Sequence, residues 1–519
     1  METVKRLPSK PVRRTRKKTG HNRKGGKVMT KGLTILVLVS TLLFHSKPIQ
    51  SQDLDAFPLN DVLELPDTVK VFSIEDLYGI IFAYHPVVKQ ANLLEETARQ
   101  EIRLAKGAFD PKLEASWDVK NFKDDEYYNI LNTSLKVPVW FPIDPKISVD
   151  RNRGVYLNPE SSIPNSNNNL QVTTGISIPL GKGLIIDNRR ATVKQAMLFT
   201  DILEAEQIKM INKILLQASK DYWNWYFDFY NFLLLQRSIN IAQQIFDRVK
   251  LNYQFGEAAV VDTVQAQITL QNRRIEAQEA TINFIRSGLI LSNHLWGENE
   301  APLELSPNAG PVPADSILVI PNQQDLETLL ELAKVNHPDL MKLSTKIEQL
   351  AVKNQLNREN LKPQIDLNYN LIDQPFSREG ASSELTFNDN YKFGVSFGFP
   401  LLLRKERAKL QKTNINILET QYELSLRQKQ ILTEIRASYV QLTNTSTIIR
   451  QQRLATDNYQ RLLQAELFNL QNGESDLFRI NFQQDKLLQA QSKLLKLRTQ
   501  YEKARITLLW AAGVRNLNN

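Results

Sequence analysis

Few residues in this chain could do chemistry. It has five histidines and no cysteine, which removes disulfides, Cys-ligated zinc or iron–sulfur centres, thiol nucleophiles and a lipidated cysteine. His85 and His337 each stand directly before a proline. Proline at the first helical position gives up a hydrogen bond that would be missing anyway, so these imidazoles read as helix-cap acceptors rather than metal ligands. Gly175 to Gly183 sits between a strand and a helix, as a phosphate loop does. Five residues separate Gly175 from Gly181 where a phosphate loop has four, and Gly183 occupies the place of the magnesium-binding hydroxyl. The aromatic run from Tyr222 to Phe232 could stack bases or sugars, but its helical spacing assigns it to a core. No nucleophile, base and orienting group recur together, so the chain reads as a non-enzyme without a cofactor.

The excess positive charge is equally uninformative about catalysis. The net charge is +9 over 519 residues, yet residues 1–51 alone hold 13 Lys and Arg against one acid, Glu2. The remainder carries 52 basic and 55 acidic residues, so no basic surface for nucleic acid is expected. Within the basic extension, Lys31 precedes a short apolar run, Leu33 to Phe44, followed by Ser46 to Ser51. That pattern is expected to be a secretory signal cleaved near Ser51, starting at Met1 or Met29. The run is too short to span a bilayer as a helix, and no other stretch is long and apolar enough. A membrane role would therefore need β-strands.

The elements come in duplicate. Ser73 to Leu77 returns as Asp325 to Leu329, and His85-Pro86 as His337-Pro338, both at an offset of 252. Further on, Arg190-Ala191 returns as Arg407-Ala408, Tyr222 as Tyr439 and Gly256-Glu257 as Gly473-Glu474, at an offset of 217. The boundaries follow: 1–51 extension and signal, 52–72 N-terminal segment, 73–297 first repeat, 298–324 proline-rich linker, 325–513 second repeat and 514–519 tail. Each repeat is expected to hold a short helix, a His-Pro helix, two strands and a helical hairpin. Strict two-residue alternation marks the strands. Leu113, Ala115, Trp117 and Val119 alternate with polar residues, as do Leu170 to Ile178, Ile365 to Leu371 and Tyr391 to Phe399. Four strands per chain are expected. The insertion at 121–168 is expected to lie mainly outside the cell, with Trp140 and Phe141 in an interfacial aromatic girdle. Residues 187–254 and 401–472 contain neither Pro nor Gly, predicting helices on the order of 100 Å long. Ile211, Leu215, Ala218, Tyr222, Trp225, Phe229 and Phe232 keep coiled-coil spacing, and Trp223, Tyr226 and Phe227 add a second apolar face. Four strands cannot close a barrel, and an open edge is intolerable in lipid, so the strands must be shared among protomers.

This layout resembles the TolC-type outer-membrane efflux and secretion channels over about residues 73–513. The matching features are the two His-Pro helix starts (Asn-Pro is usual in the family), Asp110-Pro111 and Lys362-Pro363 before the strands, and Pro179-Leu180 with Gly183 and Arg189-Arg190-Ala191. The turn from Tyr253 through Gly256 to Asp262 and Gln267 is also typical. After Pro400 this chain has Leu401-Leu402-Leu403-Arg404 without the family's glycine. The resemblance implies an α+β membrane protein: a homotrimeric 12-stranded barrel in outer-membrane lipid, continued by an α-helical coiled-coil tube in the periplasm. It also implies docking to a periplasmic adaptor and an inner-membrane pump, while the charge distribution leaves no nucleic-acid partner expected. The function implied is a passive exit duct of a tripartite efflux pump or a type I secretion system. The alternative is a secreted or periplasmic coiled-coil structural protein without a pore, for which four two-faced strands would have no use.

The turns at Gly256 and Gly473 lie farthest from the strands, so they are expected to form the periplasmic mouth and the adaptor-docking tips. Gly256 suits the left-handed position that ends a helix. Glu257, Asp262, Glu474, Asp476 and Asp485 follow these turns. Repeated around a threefold axis they would make acidic rings, the candidate gate, which would favour cations.

Overall fold

In a computed structural model, the protein is described over residues 69–163, 170–313, 322–373, 390–472 and 474–514. The expected signal segment lies outside these residues.

Helices α1 (Ile74–Tyr84) and α2 (Pro86–Lys106) lead into strands β2 (Lys112–Phe122), β3 (Asp125–Lys136), β4 (Asp144–Arg153) and β5 (Leu170–Pro179). The long hairpin α3 (Asn188–Gln254) and α4 (Val260–Ser292) completes the first copy. The second copy repeats the plan with α5 (Gln323–Asn336), α6 (Pro338–Glu359), β7 (Gln364–Asp373), β8 (Tyr391–Gly398), α7 (Arg404–Gln471) and α8 (Leu477–Ala511). Two short strands, β1 (Lys70–Phe72) and β6 (Ala309–Pro311), pair in parallel. They join the start of the first copy to the segment between the copies.

At about 1.5 Å per residue, the 67 residues of α3 and the 68 of α7 each make a rod of roughly 100 Å. The expected seam is a core. Leu215, Ala218, Tyr222, Trp225 and Phe229 are buried, and so are Trp223, Tyr226 and Tyr230 on the second face. One side of α3 faces the hairpin partner α4, while α2, α6 and α8 cover the rest. That double coverage explains why the apolar residues encircle the helix here instead of forming one stripe.

The strand count corrects the sequence reading. The sheet has six strands in the order β2-β3-β4-β5-β7-β8, every neighbouring pair antiparallel. The four expected strands are all present, but β2 does not pair with β5. The insertion between them supplies β3 and β4, which fill the gap. Asn, Ser and Pro in this segment mask the alternation that β3 carries in Tyr127, Asn129, Leu131, Thr133 and Leu135. The insertion is also not mainly an outer loop. Its middle returns to the helix end of the sheet, where Lys136 lies opposite Lys112. Trp140 and Phe141 sit in that inner turn, and the Trp140 ring meets Phe109 at 5.5 Å. The tight turn at the opposite end is Lys123-Asp124, with φ of 56° and 64°, the paired left-handed residues of a two-residue hairpin.

Candidate functional site

The sheet is two-faced across its whole width. Register places Leu113, Leu135, Ile147 and Thr174 in one cross-strand row, and Ala115, Thr133, Val149 and Val172 in the next. The same face continues through Ile176, Tyr369 and Phe393, and through Ile178, Leu367 and Val395. The opposite face carries Glu114, Ser134, Ser148, Thr173 and, nearer the second copy, Asn368, Asn370, Lys392 and Ser396. Mostly aromatic and aliphatic residues on one face and polar or charged residues on the other suit a wall between hydrocarbon and water. Gly175 belongs to the polar face for a steric reason. A Cβ there would lie 1.9 Å from Asn370 Oδ1 in the adjacent strand, so its absence lets the Asn370 amide lie over the backbone.

Where the sheet meets the helices, the residues that resembled a phosphate loop build a joint instead. The Leu180 and Lys182 N–H groups donate to the carbonyls of Ile365 (2.7 Å) and Pro363 (2.9 Å), so the end of β5 continues to pair with the start of β7. Gly181 lies so close to Pro363 that a Cβ would sit 2.1 Å from its carbonyl oxygen. Asp187 caps α3 by accepting the Arg190 N–H at 2.8 Å. Arg190 turns back onto the carbonyls of Gly183 and Leu184. Arg189 bridges Asp187 (3.0 Å) and Asp144 at the start of β4 (2.8 Å). Burial alone would raise the Asp187 carboxyl, but the Arg190 backbone bond and Arg189 outweigh it and hold it below its ordinary range. Buried Glu359 accepts the Ile185 N–H at 3.2 Å and pairs with Lys362 at 2.7 Å.

The two His-Pro steps are caps. His85 Nδ1 accepts the Val87 N–H at 3.1 Å and His337 Nδ1 accepts the Asp339 N–H at 3.2 Å. An acceptor nitrogen must be unprotonated, and burial lowers both imidazoles, His337 to about 4. Asp339 in turn receives Lys209 of α3 (3.0 Å) and Arg427 of α7 (2.5 Å), tying both long helices to α6. Among the described residues, no group of three or more His, Asp or Glu could hold a metal.

At the far ends of the rods the duplicated turns share one hydrogen bond. The Glu257 N–H donates to Asn252 (2.8 Å), and the Glu474 N–H to Asn469 (2.9 Å). Gly256 has φ of 76°, the left-handed conformation that reverses the chain; Gly473 lies outside the described residues. The acids that follow are organised differently in the two copies. Asp476 is the N-cap of α8 and accepts the Arg479 N–H at 2.9 Å. The equivalent of that cap in copy one is Ala259, and Asp262 compensates from inside the helix by accepting the Ala259 N–H at 3.0 Å. Asp485 stands apart from the tip acids: it pairs with buried Arg273 of α4, which also contacts Glu276 at 2.7 Å. Sequence reading missed this tie because it links two different repeats. It also missed a stripe on α4, where Val261, Ile268, Ile275, Ile282 and Leu289 recur every seven residues, all more than half exposed. Counting heptads along α4 as along α3 would have found it.

Residues 329–514 match the outer membrane efflux protein family. A search of curated proteins finds no match. Among solved structures, the fold is similar to the Campylobacter jejuni CmeC outer membrane channel (TM-score 0.58, 13% identity, 85% of each chain covered). It is also similar to the open state of the Neisseria gonorrhoeae MtrE outer membrane channel (TM-score 0.59, 11% identity, 85% of this chain and 88% of that one). The outer membrane protein VceC of Vibrio cholerae gives a TM-score of 0.57 at 14% identity, over 85% of this chain and 96% of that one. The two-faced sheet and duplicated helical hairpins are the fold that this chain has in common with those channels. The match to the outer membrane efflux protein family falls on the second repeat.

Proposed function

We propose that the protein is a passive exit duct: a homotrimer whose sheets form a barrel in the outer membrane and whose helical hairpins form a conduit through the periplasm. The observation that carries this reading is the continuous polar face of the sheet, joined at its inner edge to two rods of roughly 100 Å. One face suits lipid and the other water, and a structural coiled coil needs neither. The heptad stripe on α4 supports assembly, because a left-handed seam left exposed by the described residues suits a partner in another chain. In this reading an inner-membrane pump supplies the energy and hands cargo over through a periplasmic adaptor that docks at the tips around Gly256 and Gly473. The same duct would serve a tripartite efflux pump or a type I secretion system.

In this reading the tip is the gate. Asp262 and Asp476 are fixed at helix starts by their backbone bonds, so three copies of each, with Glu257 and Glu474, would ring the mouth with negative charge. Such rings favour cations and repel one another until an adaptor relieves them. Cell fractionation with planar-bilayer recording tests the duct: an outer-membrane trimer with discrete conductance steps is expected, and a soluble protein with no conductance would refute it. Replacing Asp262 and Asp476 by Ala should weaken cation selectivity; unchanged selectivity in a folded trimer would remove the gate and leave the duct.

A further inference from the structure

The sheet stops at two open edges, and they determine the size of the barrel. Among the described residues, strand β2 pairs only with β3 and strand β8 only with β7, so each presents one row of backbone N–H and C=O groups without a strand beside it. Both edges also carry the apolar face, where Leu113 and Trp117 on β2 and Phe393 and Phe397 on β8 are exposed. In hydrocarbon those backbone groups must find partners. A second copy of this chain offers them in the right direction. Strand β2 leaves α2 and runs away from the helices, while β8 runs back toward α7. Copies with their helices on the same side therefore bring β8 against β2 in antiparallel order, continuing the alternation around the sheet.

We infer that β8 of each protomer pairs with β2 of the next, and that the trimer closes a barrel of eighteen strands rather than twelve. This rests on the trimeric-duct reading above. The extra six strands cannot be set aside as decoration on a twelve-stranded wall. Strand β2 makes no ladder with β5; it reaches β5 only through β3 and β4, which are in register over eight rows with each other and eight with β5. The inserted hairpin keeps the same alternation, with Leu135, Ile147 and Val149 on the apolar face and Ser134, Ser148 and Asp150 on the polar one. Its inner turn is anchored where β4 begins, since Asp144 receives both Arg189 of α3 (2.8 Å) and Lys136 of β3 (3.4 Å). Lifting the hairpin out would open the wall between β2 and β5 and break this anchor.

The consequence is width. Strands ~4.8 Å apart and tilted by ~40° give eighteen strands a backbone diameter of about 36 Å, against about 24 Å for twelve. The barrel would then have roughly twice the cross-section, and the helical part alone would limit the cargo.

Electron cryo-microscopy of the full-length protein in lipid nanodiscs tests the inference by counting strands in a section across the barrel. Eighteen are expected, six per protomer, with Val149 toward lipid and Ser148 toward the lumen. A closed trimer with twelve wall strands and β3–β4 outside them would overturn this inference while leaving the duct standing. A protein without any closed barrel would overturn the duct reading, and this one with it.

Discussion

The two copies agree at their joints and differ in their bulk. Both use a histidine to cap the helix that leads to the sheet, and both reverse at the tip through the same backbone bond, a Glu N–H donating to an Asn carbonyl. Midway along the rods they part. In α3 the buried residues are Tyr222, Trp223, Trp225, Tyr226, Phe229 and Tyr230; in α7 they are Ile431, Ile435, Leu442 and Ile449, with Ser446 buried where α3 has Phe229. The difference follows from what each rod supports. The Tyr222 hydroxyl donates to the Phe72 carbonyl (3.0 Å), and the Tyr230 hydroxyl to that of Pro311 (3.2 Å). The aromatic mass of α3 thus holds the β1–β6 pair in place. Gly310 is required there because a Cβ would lie 2.8 Å from the Phe229 ring. Duplication preserved what both halves need and let one half carry the attachment of the chain start and the inter-copy segment.

The largest expected effect breaks this contrast directly. Trp225 is fully buried and meets Phe72 edge-on at 6.3 Å. Trp225→Ala should cost about 3–5 kcal/mol, and more than Leu442→Ala, its counterpart. Denaturant unfolding in detergent would compare them; equal costs would remove the distinction between the rods.

The second effect is on pH. His337 is buried neutral with its pKa lowered to about 4, so the folded chain resists a proton that the unfolded chain accepts near 6.5. Stability from this group is complete above pH 6.5, falls as pH drops toward 4 and is then constant, a loss of about 3 kcal/mol. His337→Asn keeps a cap acceptor and removes the titration. An acid-unfolding profile unchanged by that variant would show that burial of His337 does not govern it.

Glycines sharpen the comparison at a smaller scale. Gly181→Ala would drive a Cβ into the Pro363 backbone, whereas a Cβ at Gly394 or Gly398 on β8 meets nothing within 4 Å. Thermal unfolding should show a loss of about 1–3 kcal/mol for the first and within about 0.5 kcal/mol for the others. The smallest difference is at the tips, where Asp476→Ala removes an N-cap worth about 1 kcal/mol. Limited proteolysis would detect the loosened turn.

What the sequence disclosed, and what it concealed, follows the same physics. Duplicated helix starts, two-residue alternation and long spans without Pro or Gly are local signals, and they located β2, β5, β7, β8 and all four long helices. The inserted strands stayed hidden because Tyr127 to Leu135 mixes Asn and Thr into the apolar face, and because β4 carries Pro145 and Arg151 among its apolar positions. Pairings between distant segments leave no local trace: Arg273 with Asp485 and Arg189 with Asp144. The missing glycine after Pro400 shows the same limit. Leu403 adopts the left-handed backbone itself, at φ of 48°, close to where the first copy uses Gly183 at 96°.

The most direct test of the central claim is labelling of single cysteines in a chain that has none of its own. Val172 and Thr173 are adjacent on β5 and point to opposite faces of the sheet. In proteoliposomes, a membrane-impermeant maleimide should modify Thr173→Cys in the water-filled lumen and leave Val172→Cys, covered by lipid, unmodified. Equal labelling of both, or the reverse order, would contradict a barrel with this polar face inside.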